Sequence, residues 1–167
     1  HFASDNGHLE CLEYFLRNNK SGTSGSSHNV LKVGLQTLTG VTPLMVAARG
    51  GHLDCVRLLL ENNADIETGD AEGWTALHYA AASGNDSIMR DLLDRKPTMS
   101  MKLSRRGQSP LSIALNSGNA DTARILLDKN VSSIHYIDSA GLTPILLATV
   151  SGLTSIIEKL ISVGAGL

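Results

Sequence analysis

Aromatic residues are scarce: Phe, Trp and Tyr together make 4% of this 167-residue chain, against 42% hydrophobic residues overall. A β-sandwich core leans on aromatic and β-branched side chains. Here Leu, Ile, Val and Ala carry the apolar content, which suits closely stacked helices. Cysteine is nearly absent, with only Cys11 and Cys55. Two thiols are no disulfide framework, so an intracellular setting, cytoplasmic or nuclear, is expected. No sign of charge predominates: Lys plus Arg number 14 against 16 for Asp plus Glu, a net −2. That balance gives no support for nucleic acid or an anionic membrane as the main partner. No apolar run approaches the roughly 18 residues of a spanning helix, and no signal-peptide pattern opens the chain. Membrane insertion by this segment is therefore not expected.

What the chain does have is an internal repeat. The segments GVTPLMVAARGGHLDCVRLLL, GWTALHYAAASGNDSIMRDLL, GQSPLSIALNSGNADTARILL and GLTPILLATVSGLTSIIEKLI align without a gap. They start at Gly40, Gly73, Gly107 and Gly141, steps of 33, 34 and 34 residues, and a second glycine follows each by 11: Gly51, Gly84, Gly118 and Gly152. A partial earlier copy, HFASDNGHLECLEYFL, puts His8 and Cys11 in the columns of His52 and Cys55. A fixed period of this size signals a stacked-repeat architecture.

Each copy can be built from local chemistry. Thr42, Thr75, Ser109 and Thr143 are helix N-caps, whose hydroxyls accept from unpaired backbone N–H groups. Pro43, Pro110 and Pro144 follow at the first helical position, where a missing N–H does no harm. Small residues such as Ala47, Ala48, Ala80 to Ala82, Ala114 and Ala148 allow neighbours to approach closely. The second-column glycine ends the first helix in a left-handed turn. A second helix carries a buried stripe: Val56, Leu59 and Leu60; Met89, Leu92 and Leu93; Ala123, Leu126 and Leu127; Ile157, Leu160 and Ile161. First helices are expected near 43–50, 76–83, 110–117 and 144–151, and second helices near 53–62, 86–95, 120–129 and 154–163. Asn63, Asn130 and Gly164 suit the left-handed cap of the second helix, whereas Lys96 followed by Pro97 departs from that pattern.

The Thr-Pro-Leu-His…Ala-Ala…Gly-His…Leu-Leu…Ala-Asp pattern resembles the ankyrin repeat. The resemblance implies an all-α solenoid of stacked helix-turn-helix units, with hairpin-like fingers and a concave face made of fingers and first helices. The expected divisions are a partial repeat at 1–19, a flexible insertion at 20–36, and repeats at 37–69, 70–103, 104–137 and 138–167. The family histidine stands at His1 and His78 but is replaced by Met45, Ser112 and Leu146. The hydrogen bonds implied for it are thus expected to be missing in those three copies. Neither end shows the polar outer face of a terminal repeat, so a piece of a longer protein is expected. The insertion holds a Ser/Gly/Thr-only run, Ser21 to Ser27, and reads as a flexible loop or as a phosphorylated regulatory loop.

His8-x-x-Cys11 and His52-x-x-Cys55 look like halves of a zinc site. Equivalent positions of adjacent units sit about 8–10 Å apart, while zinc ligands must lie ~2.0–2.3 Å from one ion. The same spacing opposes a disulfide, which needs Cα atoms about 4.4–6.8 Å apart. Paired carboxylates such as Asp54 and Glu61 fall on solvated helix faces. There is no nucleophile elbow, Walker sequence or dinucleotide fingerprint. No metal, cofactor or enzyme activity is expected.

A protein partner is expected instead, held by positions that the resemblance places on fingers and first-helix ends. The candidate contacts are Arg49, Glu72, Trp74, Arg105, Arg106, Gln108, Asn116 and Leu142, with Leu38, Thr39, Val41, Ser83, Ser139 and Val150 in the same columns. Trp74 and Arg106 have interface-prone chemistry and fall on successive fingers, which places them on one rim. Trp74 is read either as a partner contact exposed on that rim or as packing on its own finger. Arg49, Arg105 and Arg106 form either a basic spot for an acidic segment or a plain solvated face. Two functions fit: an interaction scaffold or adaptor, and a regulatory or substrate-recruiting arm of a larger enzyme or channel.

Overall fold

The computed structural model of the chain describes residues 33–129, 134–138 and 140–165. The partial copy with His1, His8 and Cys11, the run Ser21 to Ser27, Asn130 and Ser139 lie outside the described residues. Helices come in antiparallel pairs: α1 (Pro43–Gly50) with α2 (Leu53–Glu61), α3 (Ala76–Ser83) with α4 (Asp86–Arg95), α5 (Pro110–Asn116) with α6 (Ala120–Lys129), and α7 (Pro144–Val150) with α8 (Thr154–Ser162). No strand is present among the described residues. Every helix begins where the repeat register puts it, and none ends more than one residue from the expected position.

The caps explain that accuracy. The N–H groups of Met45 and Ser112 donate to Thr42 Oγ1 (3.3 Å) and Ser109 Oγ (3.1 Å). Each first helix gains a partner for an N–H that the helix itself cannot satisfy. At its other end Gly51 takes φ 78°, where a side chain would be strained. Asn63 closes α2 at φ 64°, as expected of an Asn cap. After α4 the Lys96–Pro97 departure becomes a 3₁₀ turn, Pro97–Met101, that buries Met99 and Ser100.

First helices stack in one layer, α1 on α3, α3 on α5 and α5 on α7; second helices stack in another, α2 on α4, α4 on α6 and α6 on α8. Leu44, Leu59, Leu77, Leu92, Leu111 and Leu126 are fully buried between the layers. Each such leucine contributes on the order of 1.5–3 kcal/mol relative to an exposed one. Two expectations about burial need correction. Val33, inside the expected flexible insertion, is buried against the core. Ile161, expected on the buried stripe, is 60% exposed and Ile157 only half-buried, because α8 has no further helix across it among the described residues.

The joints between units also use polar contacts. Asn85 Nδ2 donates to Ala48 O (2.7 Å) and Asn119 Nδ2 to Ala81 O (2.8 Å), each tying a second helix's start to the previous first helix's end. On the outer face Arg57 grips both carboxylate oxygens of Asp91 (2.8 and 3.3 Å). That hydrogen bond holds the Asp91 carboxyl below its ordinary pKa. Lys129 reaches Asp94 at 2.6 Å, and Lys159 reaches Asp128.

Candidate functional site

Four fingers precede the four first helices, and each is closed in the same way. The N–H of Asp70 donates to Trp74 O and that of Gly73 to Asp70 O (both 2.9 Å), and the same pair of bonds recurs at Thr37–Val41, Ser104–Gln108 and Asp138–Leu142. The first residue of each finger adds a side-chain acceptor: Thr37 for the N–H of Val41, Asp70 for Trp74, Ser104 for Gln108 and Asp138 for Leu142. Only Thr, Asp and Ser occupy this column, all short acceptors able to reach a backbone N–H of their own turn. The column was readable from the aligned copies as a second periodic polar position.

Successive fingers are bonded to one another. Ala71 N–H donates to Thr39 O (2.9 Å) and Arg105 N–H to Glu72 O (2.8 Å). Such closeness leaves no room for a side chain at Gly73, where an added Cβ would stand 2.9 Å from the Arg105 nitrogen. The approach sets the distance between the residues that the fingers display.

His78 fixes the same spacing from below. Its Nε2 lies 3.3 Å from Gln108 O, which can only accept, so Nε2 carries the proton. Nδ1 is left to accept from the Thr75 N–H (3.1 Å) and hydroxyl (2.9 Å). The ring is fully buried, and that burial lowers its pKa to about 4. The hydrogen bonds expected to be missing in the other copies are partly replaced. Met45 Sδ accepts from Thr42 N–H at 3.3 Å, and the Ser112 and Ser109 hydroxyls meet at 2.9 Å. Neither repeats the bridge to the next finger that His78 makes: Met45 ends in a methyl group with no donor, and the Ser112 hydroxyl is spent on Ser109.

On this frame the second and third fingers enclose a depression of about 300 Å³, lined by Asp70, Glu72, Trp74, Tyr79, Arg106 and Gln108. Trp74 stands edge-on to Tyr79 with ring centroids 5.3 Å apart, and lies 6.1 Å from His78. Tyr79 donates its hydroxyl to Asp70 Oδ2 at 2.7 Å. Burial, with the hydrogen bond to that carboxylate, pushes the phenol pKa up to about 12. Arg106 donates to Glu72 Oε2 at 3.1 Å across the two fingers.

Of the sequence-predicted contacts, Glu72, Trp74, Arg106 and Gln108 are brought together. Arg49 is exposed at the end of α1, with its charge felt at Tyr79. Arg105 is exposed on its finger but does not line the depression, and Asn116 is exposed at the end of α5. Leu142 is half-buried against the core. Trp74 is not the freely exposed rim residue that one reading expected: it is half-buried and packs against the core. Of the three arginines in the expected basic spot, Arg106 pairs with Glu72. Asp70 and Tyr79 were missed. Asp70 was legible in the polar finger column, but nothing periodic marks Tyr79.

Cys55 is buried, and burial raises its thiol pKa, which keeps it in the unreactive protonated form. Among the described residues no cluster of His, Cys, Asp and Glu is suited to a metal ion, and no helix is long and apolar enough to cross a membrane.

No curated protein matches the chain. The family model for ankyrin repeats (three copies) matches residues 1–102 and 96–167. Its span takes in the fingers, caps and paired helices described above, and the chain belongs to the ankyrin-repeat family.

Proposed function

We propose that this chain is a scaffold or adaptor module that holds a partner protein on its finger and first-helix face, with Trp74 at the centre of the contact. Ankyrin repeats are in general protein–protein interaction modules and non-catalytic. The observation that carries the finer reading is the convergence of Glu72, Trp74, Arg106 and Gln108, from two successive fingers, on one depression. A half-buried tryptophan flanked by polar side chains has the make-up of an interface anchor, an apolar centre ringed by groups that exclude water.

The test compares affinity for a captured partner between the native chain and single variants. Trp74→Ala should weaken binding by about 1–3 kcal/mol. Arg106→Ala should weaken it less, because its ion pair with Glu72 is exposed and such pairs contribute about 0–1 kcal/mol. Glu61→Ala, at the exposed end of α2, should leave affinity unchanged. Since Trp74 also packs on the core, each affinity is measured beside a thermal melt. Full-strength binding by folded Trp74→Ala would move the contact elsewhere on the solenoid.

A further inference from the structure

The charged groups of the Trp74 depression already have partners. Asp70 accepts the N–H groups of Glu72 and Trp74 at Oδ1 and the Tyr79 hydroxyl at Oδ2. Glu72 accepts from Arg106. An incoming ion would meet charges of both signs side by side, Asp70 and Glu72 against Arg106, so neither sign of charge is clearly selected. The neutral groups are in the opposite condition. Gln108 uses only its backbone, giving its N–H to Ser104 Oγ and receiving at its carbonyl from His78 and Ser104. Its side-chain amide, like the Trp74 indole N–H, makes no hydrogen bond among the described residues. Beside these donors stand two aromatic rings set edge to face.

Unmatched N–H donors call for carbonyl oxygens, and aromatic faces call for flat apolar groups that lose little entropy when fixed. An extended segment containing proline offers both, because its ring is already fixed and its polyproline-type backbone leaves the carbonyls without internal partners. Addition of a partner strand is disfavoured, since the second and third fingers spend backbone groups on their own turns and on one another. We infer that the occupant of this depression is an uncharged, proline-bearing extended segment of a partner protein, with a ring against Trp74 and Tyr79 and carbonyls on the Trp74 indole and the Gln108 amide. The inference rests on the reading of Trp74 as the centre of the contact, and it specifies the chemistry that centre takes.

The experiment is a selection of displayed randomised peptides on the native chain, followed by anisotropy titrations of the enriched peptides. Enriched sequences should share proline at fixed positions with uncharged residues between. Trp74→Ala should weaken them about tenfold or more. Gln108→Ala, which leaves the ring packing in place, should weaken them about fivefold, the loss of one hydrogen bond. Replacing the fixed prolines by alanine should cost a similar factor. Peptides that depend on Trp74 but carry a fixed Lys, Arg, Asp or Glu in place of proline would overturn this inference while leaving the contact at Trp74. Peptides indifferent to both Trp74→Ala and Gln108→Ala, or no enrichment at all, would overturn the contact and the inference together. Melts of both variants exclude unfolding as the cause.

Discussion

Leu93 and Ile161 occupy the same column of the second-helix stripe, yet Leu93 is fully buried and Ile161 is 60% exposed. The helices that carry them, α4 and α8, are built alike; what differs is their neighbours. α4 lies between α2 and α6, with the 3₁₀ turn also against it, while α8 packs chiefly on α6 and α7 among the described residues. First helices repeat the contrast: Met45, His78 and Ser112 are buried, and Leu146, in their column, is 45% exposed. The joints differ in polar chemistry too. Asn85 and Asn119 each reach back to the previous unit, and Leu153 in their column has no side chain that could. In a solenoid a side chain's burial belongs to the joint between units rather than to the unit itself.

The largest expected effect sharpens this contrast most. Leu93→Ala should cost about 2–5 kcal/mol in urea unfolding, as filled core sites do. Ile161→Ala, the same column, should cost less than about 1 kcal/mol. Equal losses would mean that burial of the stripe is uniform and that the comparison fails.

His78 separates the middle of the stack from its other members by pH. Burial lowers its pKa from 6.5 to about 4, so between these values the unfolded chain binds more protons than the folded one. Its contribution to stability is therefore complete above the unfolded pKa and is lost as pH falls toward the folded one, by about 3 kcal/mol in all. Protonation would also turn Nδ1 from acceptor to donor, facing the Thr75 N–H. Subtracting the stability profile of His78→Gln from that of the native chain isolates this component from the carboxylates. A flat difference over that range would remove His78 from the joint.

Asn119→Ala should cost about 1 kcal/mol, the worth of a cross-unit hydrogen bond, read as a shift in the urea midpoint. A smaller effect is expected on the outer face. Lys129→Ala removes an exposed pairing with Asp94, and stability should stay within about 0.5 kcal/mol, with any difference vanishing in high salt.

Legibility followed sequence distance. Helix starts were readable because Thr42, Ser109 and Thr143 act within their own first turn, with Pro43, Pro110 and Pro144 beside them. That Trp74 and Arg106 lie near one another was readable from the period, since successive fingers stack in register and the two stand only two columns apart. The partners of these residues were less so. That Glu72 would take Arg106, and that Tyr79 would turn to Asp70, depends on side-chain directions set after stacking. The bonding of Met45 Sδ and Ser112 Oγ in place of a histidine was missed because different atoms can fill one small site above a helix start.

The sequence by itself determined the period, the helix boundaries, the left-handed turns and the family, because each follows from contacts within a few residues repeated in register. The tertiary structure decided which stripe residues are buried, how His78 bridges two fingers, and which finger residues share a depression. Those outcomes rest on contacts between residues about one repeat apart, whose geometry is fixed only when neighbouring units pack and their fingers bond.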